Sequence, residues 1–333
     1  MAAKPIVLMT HDLPGEWVGD KLNNWQVILG NNHQRGIDSG LREYLPEATG
    51  ILSLLDDPIP VEILSAAPKL KVISNLAVGT DNIDVKSCTR LGIPVGHTPG
   101  VLTDSTADLT VGLLLAVSRQ IYTASQDARL GKWSSWDPTG WLGADLRNAT
   151  VGIAGLGKIG TAVAERLSPF GCKLIFSNRS QLPQKAETLN AKQVNLDELL
   201  QTSDFICLHV PLTSETEQMI DKGAFAKMKP NAILINTARG AVVDTDALVH
   251  ALQSGQILAA GLDVTDPEPL PPDNPLYELP NCLITPHIGS ATINTRKVMA
   301  GIALSNLEAG IKGTRLPFCV NPEVYSHPGS HQN

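Results

Sequence analysis

A short apolar run at residues 151–154 leads directly into the glycine cluster Gly155-Leu156-Gly157-Lys158-Ile159-Gly160, and a helical pattern follows to residue 170. A strand that turns at once into a helix needs glycine, because glycine alone accepts both the tight turn and a ligand close to its backbone amides. The start of the following helix presents unpaired N–H groups and a positive dipole end to an anion. The cluster therefore predicts a dinucleotide site, with an ordinary tight turn as the alternative.

Apolar strand patterns alternate with helical patterns in two blocks, which is typical of parallel sheets with crossover helices. In the first block we predict strands at residues 6–9, 25–29, 50–54, 71–75 and 93–96, and helices at 39–45, 61–66 and 83–91. In the second block we predict strands at 151–154, 173–177, 205–209, 232–236, 258–263 and 282–285, and helices at 159–170, 197–201, 222–228 and 245–253.

Two long helical patterns set the domain organisation. One is capped by Asp104 or Ser105 and runs to about residue 127, and the other runs from residue 292 to about 311 with no strand after it. We expect the last helix to return to the first block. The predicted fold is α/β, with two doubly wound parallel-sheet domains: a Rossmann-type cofactor domain at 102–289 inserted into a flavodoxin-like substrate domain at 1–101 and 290–333. The cleft that such an insertion creates is a usual place for small ligands.

Composition excludes several classes of protein. The net charge of −7 over 333 residues argues against nucleic acid as a partner, because a phosphate backbone requires a basic face. No stretch approaches the roughly 18 uninterrupted apolar residues of a membrane helix, and the first residues lack the apolar core of a signal peptide. The five cysteines are odd in number and lie mostly in apolar runs, which favours buried thiols over disulfides or a metal site. We therefore expect a cytoplasmic enzyme without a metal.

Several motifs occur together in an order that is specific to one family: Asn236-Thr237-Ala238-Arg239-Gly240, Gly261-Leu262-Asp263-Val264 with Pro267-Glu268-Pro269, and Pro286-His287-Ile288-Gly289-Ser290. On these motifs the chain resembles the D-isomer-specific 2-hydroxyacid dehydrogenases from residue 77 to the final helix. The runs at 98–104, 133–136 and 287–292 make it look most like the eukaryotic glyoxylate reductase/hydroxypyruvate reductase branch of that family.

Reduction of a 2-oxoacid needs a cation for the carboxylate and a proton donor for the alkoxide. Arg239 offers a planar fork that binds a carboxylate, and a structural ion pair is its alternative role. His287 is the candidate proton donor, because an imidazole can exchange a proton near physiological pH, and a neighbouring carboxylate at Glu268 would stabilise a charged ring. The resemblance assigns these catalytic roles to Arg239, Glu268 and His287. Asp263 could join the relay, but support of a nicotinamide carboxamide is the preferred interpretation.

The resemblance also implies substrate contacts outside this triad. Val78 and Gly79 match a loop that presents backbone amides to the substrate carboxylate, and Ser290 could bind a substrate hydroxyl. Trp136 and Trp141 lie in a stretch that the family uses as a dimerisation arm. Either tryptophan could reach the partner's substrate pocket, and the sequence does not choose between them. A homodimer is therefore expected.

The end of the predicted strand 173–177 bears on the cofactor. An NAD site usually places an acid about 20 residues beyond the glycines, but here the chain reads Asn178-Arg179-Ser180. Guanidinium and hydroxyl groups bind a 2′-phosphate that a carboxylate would repel, so we predict NADPH, with a solvated surface arginine as the alternative. Further cofactor contacts are expected at Thr106, Pro211, Thr237, Ala238, Asp263 and Gly289.

These features together predict NADPH-dependent reduction of glyoxylate to glycolate and of hydroxypyruvate to D-glycerate. A 3-phosphoglycerate dehydrogenase is one alternative, and it would be expected to carry extra basic residues near the substrate loop and often an additional regulatory domain. A formate dehydrogenase would pair its histidine with Gln in place of Glu268. A dinucleotide-sensing corepressor or scaffold on the same fold also stays open, because such proteins can retain the catalytic residues.

Overall fold

The computed structural model describes residues 3–179 and 185–326. The chain divides into two compact units. The first is formed by Met1–Leu102 together with Thr292–Asn333, and the second by Thr103–Ala291. The chain therefore passes from one unit to the other after Leu102 and again after Ala291.

Each unit is built on one parallel sheet. The first sheet has five strands in the order β2-β1-β3-β4-β5, and the second has seven in the order β12-β11-β10-β9-β6-β7-β8. The strands are β1 (Ile6–Met9), β2 (Gln26–Leu29), β3 (Ala48–Ser53), β4 (Val72–Asn75), β5 (Val95–Gly96), β6 (Thr150–Ala154), β7 (Lys173–Ser177), β8 (Lys192–Gln193), β9 (Phe205–Leu208), β10 (Ile233–Asn236), β11 (Ala259–Leu262) and β12 (Cys282–Ile284).

Helices connect the strands and cover the sheets. They are α1 (Gly15–Val18), α2 (Ser39–Arg42), α3 (Val61–Ala66), α4 (Val85–Arg90), α5 (Thr103–Ser118), α6 (Ile121–Arg129), α7 (Lys158–Leu167), α8 (Lys185–Thr188), α9 (Leu196–Thr202), α10 (Lys222–Lys227), α11 (Thr245–Gln253) and α12 (Ile293–Ile311).

The first sheet buries both faces, which explains its continuous apolar strands. On one face, Ile51 and Ile73 pack with residues of α3 and α4. On the other face, Val72 packs against Ala303 and Leu307 of α12. The strand order is that of flavodoxin-like folds. The last helix of the chain therefore completes the core of the unit in which the chain began, as predicted.

The second sheet has the strand order of a Rossmann fold, and its order reverses between β6 and β9. Helices α5 and α7 pack on one face, and α9, α10 and α11 contribute to the other. In open parallel sheets, ligands bind beyond the carboxyl ends of the strands at such a switch point. The glycine cluster follows β6 at this point, and the two predicted doubly wound sheets are confirmed.

The prediction of one helix from Asp104 or Ser105 to about residue 127 is wrong. Gln120, with a φ of 49°, takes the left-handed conformation between α5 and α6 and so ends the first helix. Helix α5 begins at Thr103, so Asp104 and Ser105 lie inside its first turn. The apolar positions on which the prediction rested, such as Ala107, Val111 and Leu114, all lie within α5, and α6 buries no residue. They therefore do not show where the helix ends.

The unit boundaries differ by one or two residues from the expected ones, because the crossings lie at the starts of α5 and α12. Thr292 caps α12 by accepting a hydrogen bond from Thr295 N, and Ser290 therefore belongs to the second unit. Strand β8 was not predicted, because its two residues are exposed and polar. Within the described ranges, no helix has both the length and the apolar character required to cross a membrane.

Candidate active site

Three neighbouring strands carry the predicted catalytic residues just beyond their carboxyl ends. Arg239 follows β10, Glu268 lies in the loop after β11, and His287 follows β12. These strands are adjacent and parallel in the second sheet. Residues far apart in the sequence are thereby carried to one edge of one sheet.

His287 and Glu268 are in direct contact. The Nδ1 atom of His287 lies 2.6 Å from Oε1 of Glu268, and the two side chains are 22% and 29% exposed. A carboxylate can only accept, so Nδ1 carries the proton of this bond. Glu268 Oε2 in turn accepts from the backbone N–H of Thr265 at 3.3 Å. The pairing fixes the ring and leaves Nε2 as the nitrogen available to a substrate.

Asp263 organises the loop that carries His287. Its backbone carbonyl accepts from His287 N at 2.9 Å, while Oδ1 accepts from Ile288 N and Oδ2 from Gly289 N, both at 2.8 Å. The Thr285 hydroxyl also donates to Oδ1 at 2.6 Å. His287 has a φ of 52°, a strained conformation that these bonds stabilise.

Asp263 is almost fully buried. Burial raises the pKa of its carboxyl, while the donors from Thr285, Ile288 and Gly289 lower it in part. Both oxygens are occupied by this loop. The structure thus shows a contact that the sequence interpretation, which assigned Asp263 to the nicotinamide, did not anticipate.

Arg239 is held by a turn after β10. Asn236 donates through Nδ2 to Arg239 O at 2.9 Å and accepts from Ala238 N at 3.0 Å. A Cβ on the next residue, Gly240, would lie 1.9 Å from Thr265 O, so the turn packs tightly on the loop that carries Glu268. The sequence analysis named Asn236 only within its motif and did not predict that it holds this turn, although an Asn at a strand end is a known turn signal.

The glycine cluster has the geometry of a dinucleotide loop. Gly155 has a φ of 95°, and a Cβ there would lie 2.7 Å from His209 O, while a Cβ on Gly160 would lie 2.2 Å from Gly155 O. Gly157 caps α7, and a Cβ built on it meets nothing within 4 Å. The first and third glycines allow close packing, and the second leaves open space in front of the helix terminus, where a pyrophosphate fits.

The end of β7 lies beside this loop. Asn178 accepts from Leu156 N through Oδ1 at 2.6 Å. Its neighbour Arg179 forms an exposed ion pair with Glu215, which lies in the loop after β9. Sequence inspection missed Glu215, because it lies in a different loop from the predicted Arg179. Ser180, the third predicted residue of this group, lies outside the described residues.

Several other predicted cofactor contacts lie close together. A Cβ on Gly289 would meet both Asp263 and Thr106 at 3.3 Å. Thr110 donates to Thr106 O and shares a hydrogen bond of 2.8 Å with the hydroxyl of Thr237. Ala238 O accepts from the Arg239 side chain. Pro211 is placed separately, where its carbonyl accepts from the buried Thr216 hydroxyl at 2.6 Å.

The predicted substrate loop belongs to the first unit. Gly79 O accepts from Asn75 Nδ2 at 2.9 Å, and Val78 O lies 3.0 Å from His97 Nδ1. Asn75 ends β4 and is fully buried. Both carbonyl groups are thus bonded within this unit, and the direction of the loop amides is fixed. His97 lies outside the motifs that carry the resemblance, and the sequence analysis did not predict a role for it.

The predicted arm of the second unit exposes large apolar side chains. Trp136 is 82% exposed, and Leu130, Trp133 and Leu142 are also exposed. Trp141 is half-buried, and its Nε1 donates to Asp127 at 3.0 Å. Ser290 is half-buried directly after Gly289.

Comparison with known proteins gives one consistent family. Residues 111–289 match the model of the D-isomer specific 2-hydroxyacid dehydrogenase NAD binding domain. A glyoxylate reductase from Thermococcus litoralis is 44% identical over 325 residues, covering 96% of this chain and 98% of that protein. A human glyoxylate reductase/hydroxypyruvate reductase is 47% identical over 272 residues, covering 81% and 83%.

Solved structures agree with these relatives. A crystal structure of a Thermus thermophilus protein matches with a TM-score of 0.87 at 44% identity, covering 95% of this chain and 99% of that chain. The NADPH-dependent glyoxylate/hydroxypyruvate reductase from Sinorhizobium meliloti, in complex with NADP and malonate, matches with a TM-score of 0.85 at 31% identity, covering 96% and 97%. The chain belongs to the D-isomer-specific 2-hydroxyacid dehydrogenase family.

Proposed function

We propose that this chain reduces small 2-oxoacids with NADPH, converting glyoxylate to glycolate and hydroxypyruvate to D-glycerate. The observation that carries the proposal is the 2.6 Å bond between His287 and Glu268, at the sheet edge that also carries Arg239. The relatives that match most of the chain are named glyoxylate reductase and glyoxylate reductase/hydroxypyruvate reductase, and these names support the choice of substrates. The family supports an oxidoreductase that uses a nicotinamide dinucleotide.

In this proposal His287 supplies the proton. Glu268 accepts the hydrogen bond from Nδ1 and so holds the ring in one orientation. With Nδ1 bonded to Glu268, Nε2 is the atom that donates to the oxygen of the substrate carbonyl. After the transfer the ring is neutral and still oriented by Glu268. In the oxidative direction the same nitrogen accepts the proton.

Arg239 binds and polarises the substrate. Its guanidinium bonds a carboxylate in bidentate fashion and stabilises negative charge on the neighbouring carbonyl oxygen. Val78 and Gly79 are further proposed ligands of the substrate carboxylate, and Ser290 of a substrate hydroxyl. These contacts favour short, polar oxoacids over large apolar ones.

The chain's residues fit the cofactor at the second sheet. The glycine loop and the N-terminus of α7 would hold the pyrophosphate, and Arg179 would hold the 2′-phosphate of NADPH. Ser180 is also proposed for the 2′-phosphate. Thr106, Pro211, Thr237, Ala238, Asp263 and Gly289 are proposed to line the rest of the cofactor site. When bound, the reduced nicotinamide supplies the hydride.

We also propose that the chain acts as a homodimer. The exposed apolar side chains between Leu130 and Leu142 support this, because such a cluster usually marks an interface. Trp136 is the more exposed of the two tryptophans proposed to reach a partner's pocket. Trp141 already donates its N–H to Asp127. Sedimentation equilibrium of the wild-type chain and a Leu130→Ser Trp133→Ser variant tests the dimer, and loss of association only in the variant supports it.

A substrate panel tests the proposed activity. Glyoxylate, hydroxypyruvate and pyruvate are supplied with NADPH or NADH, and oxidation of the reduced nicotinamide is followed by absorbance. We expect turnover with the first two substrates and a higher kcat/KM with NADPH. Tight dinucleotide binding without turnover of any oxoacid would instead favour the sensor or scaffold.

A further inference from the structure

The ion pair between Arg179 and Glu215 joins two loops on either side of the glycine loop. Arg179 follows β7, and Glu215 lies in the loop after β9. Strand β6, which leads into the glycine loop, lies between these two strands in the sheet. The pair therefore joins two loops that flank the loop proposed to hold the cofactor phosphates.

Both partners stand on well-fixed backbone. On one side, Asn178 anchors the end of β7 to the glycine loop through its bond to Leu156 N. On the other side, the buried Thr216 hydroxyl donates to Pro211 O at 2.6 Å and accepts from Thr213 N at 2.9 Å. The Glu215 backbone N–H donates to the Thr213 hydroxyl. The carboxylate is thus carried by an ordered turn, so its proximity to Arg179 follows from the loop structure.

The pair is exposed to solvent. The side chain of Arg179 is 68% exposed and that of Glu215 is 65% exposed. Exposed ion pairs add little to folding stability. The carboxylate does, however, contact Nη1 of the guanidinium that the proposed function assigns to the 2′-phosphate. A 2′-phosphate and Glu215 are both anions, and both bind guanidinium N–H groups.

We propose that Glu215 is a specificity-determining residue that competes with the 2′-phosphate of NADPH for Arg179. This inference rests on the proposed function, in which Arg179 recognises that phosphate. The competition weakens NADPH relative to NADH, because only NADPH must displace the carboxylate. The NADPH preference of the chain is accordingly smaller than the arginine alone would give.

The test compares two nucleotides that differ only by the 2′-phosphate. Adenosine 2′,5′-bisphosphate and adenosine 5′-monophosphate are titrated calorimetrically into the full chain, so that the result does not depend on catalysis. Glu215→Gln should raise the ratio of the two affinities, in favour of the bisphosphate, about fivefold, as expected for one surface charge in water. The affinity for the monophosphate should change less than about twofold.

A matched control lies in the same loop. Glu217 is also exposed, and Glu217→Gln removes the same charge without removing the partner of Arg179. We expect this control to leave the affinity ratio within about twofold of wild type. The double variant Arg179→Gln Glu215→Gln should lose the gain seen in Glu215→Gln alone.

The outcomes distinguish a failure of the proposed competition by Glu215 from a failure of the assignment of Arg179 to NADPH. An unchanged or lowered ratio in Glu215→Gln overturns the competition, while a lowered ratio in Arg179→Gln still supports the NADPH assignment. If Arg179→Gln leaves the ratio of the wild type unchanged, both the competition and the NADPH assignment are wrong. An equal gain in Glu217→Gln also overturns the competition, since general charge then explains the effect.

Discussion

The two ends of the candidate site in the second unit are built differently. Near His287, the buried carboxylate of Asp263 accepts hydrogen bonds from Thr285, Ile288 and Gly289. The carboxylate of Glu268 accepts a hydrogen bond from the imidazole ring. Around Arg179, the two loops meet through an exposed ion pair. The first arrangement fixes a nitrogen in position. The second places charge near a ligand without ordering it tightly.

This difference follows from the demands of the chemistry. Proton transfer requires its donor within hydrogen-bond reach of the reacting atom, and small displacements are costly. Recognition of a phosphate by an exposed arginine does not place a reacting atom, so a small displacement there changes affinity but not the chemical step. We therefore expect substitutions near His287 to change turnover, and substitutions near Arg179 to change cofactor affinity.

Removal of the proton donor should give the largest effect. His287→Gln should lower kcat for glyoxylate about a thousandfold, because it removes general acid catalysis, while cofactor affinity stays similar. Steady-state kinetics and NADPH fluorescence titration measure the two quantities. His250→Gln, at an exposed position of α11, is the matched control and should retain full activity. Retained turnover in His287→Gln would exclude this histidine as the donor.

Loosening the loop around His287 should have the next largest effect. Asp263→Asn replaces one acceptor oxygen by a donor that faces the backbone amide of Ile288 or Gly289. We expect kcat to fall about thirtyfold to a hundredfold, because the ring loses its fixed position. Asp266→Asn, exposed in the neighbouring loop, should have little effect. If Asp263→Asn changes only the affinity for dinucleotide, its role is in cofactor binding alone.

Reversal of the charge at Arg179 should raise the KM for NADPH much more than the KM for NADH. Arg179→Asp should raise the KM for NADPH about tenfold or more, because a carboxylate repels the 2′-phosphate, while the KM for NADH changes less than about twofold. Kinetics with both cofactors at one glyoxylate concentration measure the difference. Arg147→Asp, also exposed, controls for the overall charge. Equal changes for both cofactors would contradict the assignment of Arg179.

The smallest expected effect concerns the free energy of unfolding and its dependence on pH. It arises from His209, which directly follows β9. Burial lowers the pKa of His209 to about 4, and its Nε2 atom has no hydrogen-bond partner among the described residues. In the unfolded chain His209 therefore binds a proton as the pH falls through about 6.5, whereas in the folded chain it stays neutral until about pH 4. Stability is lost as the pH falls from about 6.5 towards 4, by about 1 kcal/mol between pH 6.5 and 5.5.

Urea unfolding at several pH values tests this contribution. His209→Gln cannot titrate, so its free energy of unfolding should vary less over this pH window than that of the wild type. Identical pH profiles for the two proteins would show that His209 makes no such contribution.

The extent to which the sequence predicted this site depended on how local each signal is. The glycine loop and the strand ends before Arg239 and His287 were recognisable, because strand, turn and helix patterns there involve neighbouring residues. The break at Gln120 was not, because a single left-handed residue has no clear signature in the sequence. Glu215 was missed because its meeting with Arg179 depends on the order of the strands in the sheet.

The role of Asp263 shows the same limit in another form. The motif that contains Asp263 indicated a functional residue, and the preferred interpretation from the sequence was a contact with the nicotinamide carboxamide. Its bonds to Thr285, Ile288 and Gly289 depend on the contact between β11 and β12, which the sequence does not specify. Residue type thus indicated which residues are candidates for the site, while the hydrogen-bond partners came only from the three-dimensional arrangement.

The discontinuous first unit has a consequence for biosynthesis. Its sheet emerges from the ribosome with the face around Val72 uncovered, since Leu307 and the rest of α12 are translated only after Thr103–Ala291. At about 5–20 residues per second, this delay lasts roughly ten to forty seconds. During that interval we expect an apolar surface to be exposed that the complete chain buries under its last helix.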